Sequence, residues 1–258
     1  MKRAVCIGII VIGSGLFAYQ ASATSVLVSQ AQGITLGIGY AGWSELTAAL
    51  NTATDNNVTI STTAFTDYAV MDNYDAIWLD QRGNFLNTLT ATEAGNIATY
   101  IDSGRRVVMI GSWWWDWNNQ FLGIVGGSQT AGTYYSPSSS SNLNPISHEL
   151  TQFVTSLYFE GGQTGLVTGG AGGTALFDPN FATLWGDESN VLTILNVVMF
   201  KNSYWGISSY NNDVFGTNVA EWIAASAPVP EPASIVMLGA GMVGMAAARR
   251  VTRRERRS

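Results

Sequence analysis

Residues 111–121 read Gly-Ser-Trp-Trp-Trp-Asp-Trp-Asn-Asn-Gln-Phe and hold four of the chain's nine tryptophans. Indole rings present broad apolar faces and a single N–H donor. With Asp116, Asn118, Asn119 and Gln120 beside them, such faces could stack on sugar rings while the polar groups bind hydroxyls. The competing reading is packing, with consecutive tryptophans filling the gap between a sheet and its helices. Trp113, Trp114, Trp115, Trp117 and Asp116 are the candidate carbohydrate-binding residues.

Other reactive groups are sparse. The one histidine is His148, followed by Glu149, and the one cysteine is Cys6. A Ser112/His148/acid triad is conceivable, but Ser112 lacks the Gly-x-nucleophile-x-Gly elbow. The plainer role for His148 is at a helix start or in a loop. Residues 37–42, Gly-Ile-Gly-Tyr-Ala-Gly, match the form G-x-G-x-x-G, a weak signal better read as a glycine loop. One histidine, a lone cysteine and scattered acids offer no zinc set and no calcium-loop pattern, so no metal and no cofactor are expected. Asp80, Asp116 and Glu160 are the carboxylates that a glycan hydrolase could pair, and that reading is the alternative to a non-enzymatic protein.

Charge narrows the partners. Residues 24–227 carry four basic and sixteen acidic side chains, a net −12, within a chain of formal charge −6. Such a surface repels phosphate backbones, which excludes nucleic acid.

Regular elements must position these groups. Residues 25–29 and 74–80 read as buried strands, 57–65 alternate as a strand, and 105–112 form another buried strand. Residues 42–54 carry Trp43, Leu46, Ala49 and Leu50 at helical spacing. The clearest helix is 90–104, with Thr90 and Glu93 as a capping box and Gly104 after its end. The order β-α-β-β-α-β argues for a parallel α/β sheet. The serine-rich stretch 126–143 reads as a surface loop. Apolar segments recur at 144–159, 173–177, 190–200 and 216–224.

Both ends differ from this domain. Lys2 and Arg3 precede an apolar stretch to Ala18, and Ala21-Ser22-Ala23 follows as a small-x-small site. That pattern predicts a signal peptide cut after Ala23 by signal peptidase, leaving no thiol in the mature chain. At the other end, Pro230-Glu231-Pro232 must be extended, because each proline restricts φ and the residue before it. Residues 234–248 are fifteen uncharged positions, about 22 Å as a helix, a marginal membrane span. Arg249, Arg250, Arg253, Arg254, Arg256 and Arg257 follow and would stay cytoplasmic, leaving the domain outside. A permanent anchor is the competing reading.

The Pro-Glu-Pro, the short apolar run and the arginine end together resemble the PEP-CTERM sorting signal of exosortase substrates. The resemblance implies recognition at Pro230, Glu231 and Pro232 and cleavage near them by exosortase. It implies a Gram-negative bacterium that makes exopolysaccharide, passage through the inner membrane, and delivery to the cell surface or extracellular matrix. The middle region is similar to the glutamine amidotransferase-like, flavodoxin-like superfamily, through "YDAIWLD", "LTATEAGNIATYIDSG", "RRVVMIGS" and "NPISHEL". The superfamily's cysteine nucleophile is absent after Val107–Ile110, where the chain reads Gly111-Ser112-Trp113-Trp114-Trp115, and its late histidine is missing, so no catalytic residue is carried over. The expected organisation is a signal peptide over 1–23, an exported α/β domain over 24–226 and the sorting signal over 227–258. The domain is expected to have a mostly parallel sheet with helices on both faces. The signal helix and one transmembrane helix would flank it.

Overall fold

The computed structural model describes residues 23–225 except 31, 34–35, 83–87, 137–138, 141–142, 160–163, 187–188, 203–206 and 209. The predicted signal peptide over 1–23, apart from Ala23, and the transmembrane helix over 234–248 with the arginine tail lie outside the described residues. Among the described residues, no helix is long and apolar enough to cross a membrane.

A seven-stranded sheet forms the centre. Its strands are β1 (Val26–Ser29), β2 (Val58–Ser61), β3 (Ala76–Leu79), β4 (Arg106–Ile110), β5 (Thr174–Ala175), β6 (Ala182–Trp185) and β7 (Val191–Ile194). Their order is β5-β6-β7-β4-β3-β1-β2. β2, β1, β3, β4 and β7 run parallel, while β6 and β5 add an antiparallel edge. The direction of winding reverses between β1 and β3, the doubly wound pattern of flavodoxin-like sheets.

Side-chain alternation along each strand feeds two cores. Val26 and Val28, Ala76 and Trp78, and Val108 and Ile110 join one core. Leu27, Ile77, Leu79, Val107 and Met109 join the other. Helices α1 (Ser44–Ala53) and α5 (Asn212–Ala224) cover the first face. There Gly216 admits close packing: a Cβ on it would lie 3.3 Å from Leu46 and 3.4 Å from Phe200. The short α2 (Tyr68–Met71), α3 (Ala91–Asp102) and α4 (Trp115–Leu122) cover the second. The expected α/β class, mostly parallel sheet and helices on both faces are therefore present.

Local signals explain several boundaries. Thr90 caps α3 by accepting from the Glu93 N–H at 3.1 Å, and Glu93 accepts in turn from the Thr90 N–H at 2.9 Å. Gly104 follows with φ of +78°, which suits glycine.

Within residues 111–121 a helix, α4, begins at Trp115. One expectation needs correction: the 126–143 stretch, read as a surface loop, contributes short paired strands. Gly127–Ser128 pairs with Gly169–Gly170, Tyr134–Tyr135 with Thr164–Gly165, and Ser139–Ser140 with Leu157–Tyr158. Its composition hid these pairings because short antiparallel ladders draw on backbone groups that every non-proline residue carries.

Candidate functional site

β4 ends at Ile110, and Gly111 donates the last ladder bond to the Ile194 carbonyl at 2.8 Å. Glycine is required here by space: a Cβ would collide with the side chains of Asn118 and Phe121. Asn118 is fully buried and clamps the turn. Its Nδ2 donates to the Ser112 carbonyl at 2.5 Å and to Gln129 Oε1 at 2.5 Å, while its Oδ1 accepts from the Ser112 N–H at 3.2 Å. Asn119 fixes Gln129 from the same helix, accepting its N–H at 2.7 Å and donating to its carbonyl at 2.9 Å.

This scaffold sorts the tryptophans. Trp113 and Trp115 are each 41% exposed. Trp114 is half-buried and meets Trp113 edge-on at 5.8 Å between ring centres. Trp117 is 4% exposed, packs edge-on against Phe121 and donates Nε1–H to the Ile110 carbonyl at 3.0 Å. The packing reading thus holds for Trp117, while Trp113 and Trp115 are open. Asp116 is exposed beside them. The expected polar partners are corrected: Asn118 is sealed inside, and Asn119 and Gln120 are bonded to protein groups. Gln120 accepts from the Leu89 N–H at 2.7 Å. What remains open is a pair of indole faces with one carboxylate, just past the carboxyl end of a central strand. Open α/β sheets hold their ligands at this end.

The other sequence candidates lie elsewhere. Ser112 is 1% exposed and its Oγ accepts from the Trp114 N–H at 3.4 Å. His148 caps a 3-10 turn, its Nδ1 accepting from the Leu150 N–H at 3.1 Å. The adjacent Glu149 reaches Arg106, at the opposite end of β4 from Ser112, at 3.7 Å. No described hydrogen bond joins Ser112 to His148. In the glycine loop, the Ile38 N–H donates to Asp80 Oδ2 at 2.8 Å and the Gly39 N–H to Thr47 Oγ1 at 3.0 Å. Those amides are committed and cannot cradle phosphate. A shallow cavity of about 230 Å³ beside them is lined by Gly39, Tyr40, Ser44, Thr47 and Asn51 among others. Asp80 is fully buried and also accepts from Trp78 Nε1 at 2.7 Å. It supports the fold and does not face an open cleft. Glu160 lies outside the described residues. Among the described residues, no three His, Cys, Asp or Glu side chains gather as a metal site.

One aromatic surface has no counterpart among the sequence candidates. Tyr158 and Tyr210 stack with centres 6.1 Å apart and planes 19° apart, and Tyr210 is 53% exposed. Asn211 Oδ1 draws the 155–156 backbone beside them, accepting N–H bonds at 3.0 and 3.2 Å. The two tyrosines are 52 positions apart in sequence, so no local pattern could have paired them.

Pro230, Glu231, Pro232, the six tail arginines and Ala21 fall outside the described residues. The decisive observation for them is a family match: residues 228–254 fit the PEP-CTERM protein-sorting motif. The chain carries a PEP-CTERM sorting signal. That signal implies export and exosortase sorting to the cell surface in a Gram-negative bacterium. It occupies only the end of the chain and says nothing of the domain before it. No curated protein matches the sequence.

The domain does have structural neighbours. The N-terminal domain of mmIFT52 superposes with a TM-score of 0.56 at 11% identity, covering 80% of this chain and 99% of that one. A ThuA-like protein from Bacteroides uniformis gives 0.51 at 14% identity, covering 81% and 94%. A GMP synthase-type protein from Thermoplasma acidophilum gives 0.50 at 10% identity, covering 79% and 95%. At these identities the likeness is one of fold. It agrees with the amidotransferase-like, flavodoxin-like resemblance of the region ahead of the sorting signal.

Proposed function

We propose that this is a non-enzymatic exported protein, delivered through its sorting signal to the cell surface or extracellular matrix, whose α/β domain contacts exopolysaccharide through Trp113 and Trp115. Signal peptidase removes residues 1–23. The C-terminal helix holds the domain at the inner membrane until exosortase cuts near Pro230-Glu231-Pro232.

The observation that carries this reading is the position of the open tryptophans relative to the sorting signal. Arg106, at the start of β4, donates to the Trp222 carbonyl near the end of α5. The signal follows α5, so the tether leaves from the amino ends of the strands. Trp113 and Trp115 lie past the other end of β4, roughly 15–20 Å of strand away. From Ala225 to Ser234, where the apolar span begins, the chain reaches at most about 32 Å. A membrane-held domain is thus tethered at the amino ends of its strands, opposite its tryptophan edge. The net −12 of residues 24–227 favours a neutral or basic glycan over a polyanionic one.

The test is co-sedimentation of the full chain, in mild detergent, with exopolysaccharide from the cells that make it. The double variant Trp113→Ala/Trp115→Ala should lose about tenfold or more in binding while keeping its circular dichroism spectrum. Binding that matches the parent protein would sink the proposal.

A further inference from the structure

The bond between Ala23 and Thr24 does not project from the domain; it is built into it. The Ala23 carbonyl accepts from Asn57 Nδ2 at 3.2 Å. Thr24 is 7% exposed, and its hydroxyl donates to the Ala224 carbonyl at 2.5 Å, joining positions 200 residues apart. Ser25 donates its N–H at 2.8 Å and its hydroxyl at 2.7 Å to Asp75 Oδ2. Val26 then enters β1, which lies between β2 and β3.

An endopeptidase binds several residues on each side of the scissile bond as an extended strand. Its own donors must reach the scissile carbonyl oxygen. In the folded domain that oxygen is already bonded, the residue after the bond is enclosed, and the next residues run into an inner strand. Access would require breaking the Thr24–Ala224 and Ser25–Asp75 contacts and lifting the start of β1. That opening costs at least the Thr24 and Ser25 contacts and the first pairings of β1.

We infer that folding of the domain closes the amino-terminal processing site, so that cleavage after Ala23 must come before β1 and α5 assemble. This rests on the signal-peptide reading of the proposed function. The step is a hydrolysis by an endopeptidase of the signal-peptidase class. Water's hydroxyl goes to the Ala23 carbonyl carbon and the C–N bond breaks. Ala23 leaves as a carboxylate and the Thr24 nitrogen becomes an ammonium. Folding then brings the residue that carries the ammonium against the Ala224 carbonyl at the carboxyl end of α5, where the helix dipole favours a cation. The same contact that hides the uncut bond thus suits the cut end. Processing acquires an order: the amino-terminal cut, then closure of the domain.

The test uses the full chain, leader included, synthesised cell-free into detergent. Signal peptidase is added either during dilution from urea or after tryptophan fluorescence reports a folded domain. Chains met while unfolded should be cut at Ala23–Thr24, and prefolded chains should be cut at least tenfold more slowly. A Gly-Ser linker placed between Thr24 and Ser25 carries the site off the fold and should restore cutting of prefolded chains. Equal rates for unfolded and prefolded parent chains would overturn the inference while leaving the signal-peptide reading intact. No cutting under either condition would overturn that reading and the inference with it.

Discussion

Arg82 and Glu93 form an enclosed ion pair, with Nη2 2.6 Å from Oε1 and both side chains almost wholly buried. Arg82 follows β3 and also donates to Ser29 Oγ, at the end of β1, at 3.2 Å. Glu93 lies in the first turn of α3 and caps it. The pair therefore ties together two inner strands and a helix at the switch point of the sheet. Removing the arginine leaves a buried carboxylate unpaired, which typically costs 3–5 kcal/mol, more than the pair itself contributes. Arg82→Met should lower stability by about that amount in urea denaturation. Arg82→Met/Glu93→Gln should recover much of it, and a double variant no more stable than the single one would contradict this account.

The same carboxylate makes the domain sensitive to acid. Burial pushes the Glu93 carboxyl up, but bonds from Arg82 and from the Thr90 N–H outweigh it and hold the group below its usual range. A depressed folded value stabilises the protein above the unfolded carboxyl value of about 4.3, and this contribution is lost as pH falls through the folded value. Urea midpoints measured from pH 7 downward should decline below about pH 4.5. Glu93→Gln should show a shallower decline over that window.

The tryptophans should separate by stability as they do by burial. Trp117→Ala removes a core ring and its bond to the Ile110 carbonyl, an expected loss of about 3–5 kcal/mol. Trp113→Ala and Trp115→Ala remove half-open rings and should each shift stability by about 0.5 kcal/mol or less. Thermal melts of the three variants check this. A large loss for Trp113→Ala would mark that ring as part of the core.

Two glycines offer a paired test. Gly111→Ala drives a methyl into the enclosed Asn118 and Phe121 and should cost about 1–3 kcal/mol. Gly123, which ends α4 with φ of −59°, has nothing within 4 Å of an added Cβ. Gly123→Ala should be neutral or stabilising by up to about 1 kcal/mol. Equal effects of the two changes would refute the close approach at Gly111.

Sorting makes a covalent prediction. Mass spectrometry of protein recovered from the cell surface should find a C-terminus near Pro230 and no peptide containing Arg249 to Arg257. An intact arginine tail would instead indicate a permanent anchor.

Much of the scaffold was legible because its causes are local. The Thr90–Glu93 capping box spans three residues, and the strands at 74–80 and 105–112 announce themselves by unbroken apolar runs. α4 was missed for a physical reason. α4 is only eight residues long, and Trp113 and Trp114 extend its apolar run on the amino side, so the sequence marks neither its start nor its inward face. Which rings turn inward is set by the helix starting at Trp115, which brings Trp117 and Phe121 onto one face against the sheet. The amide side chains of 118–120 looked available for a ligand because sequence cannot show that the turn after β4 and the segment at Gln129 consume them.

The address of this protein is written in linear order. Pro230-Glu231-Pro232, the short apolar run and the arginines are recognisable as a sorting signal from their order and spacing alone. Which surface that address delivers is settled by folding. Trp117 becomes buried, Trp113 and Trp115 stay open, and Thr24 meets Ala224 across 200 residues. Those outcomes depend on strand order and helix docking, which arise from contacts far apart in the chain that no local pattern encodes.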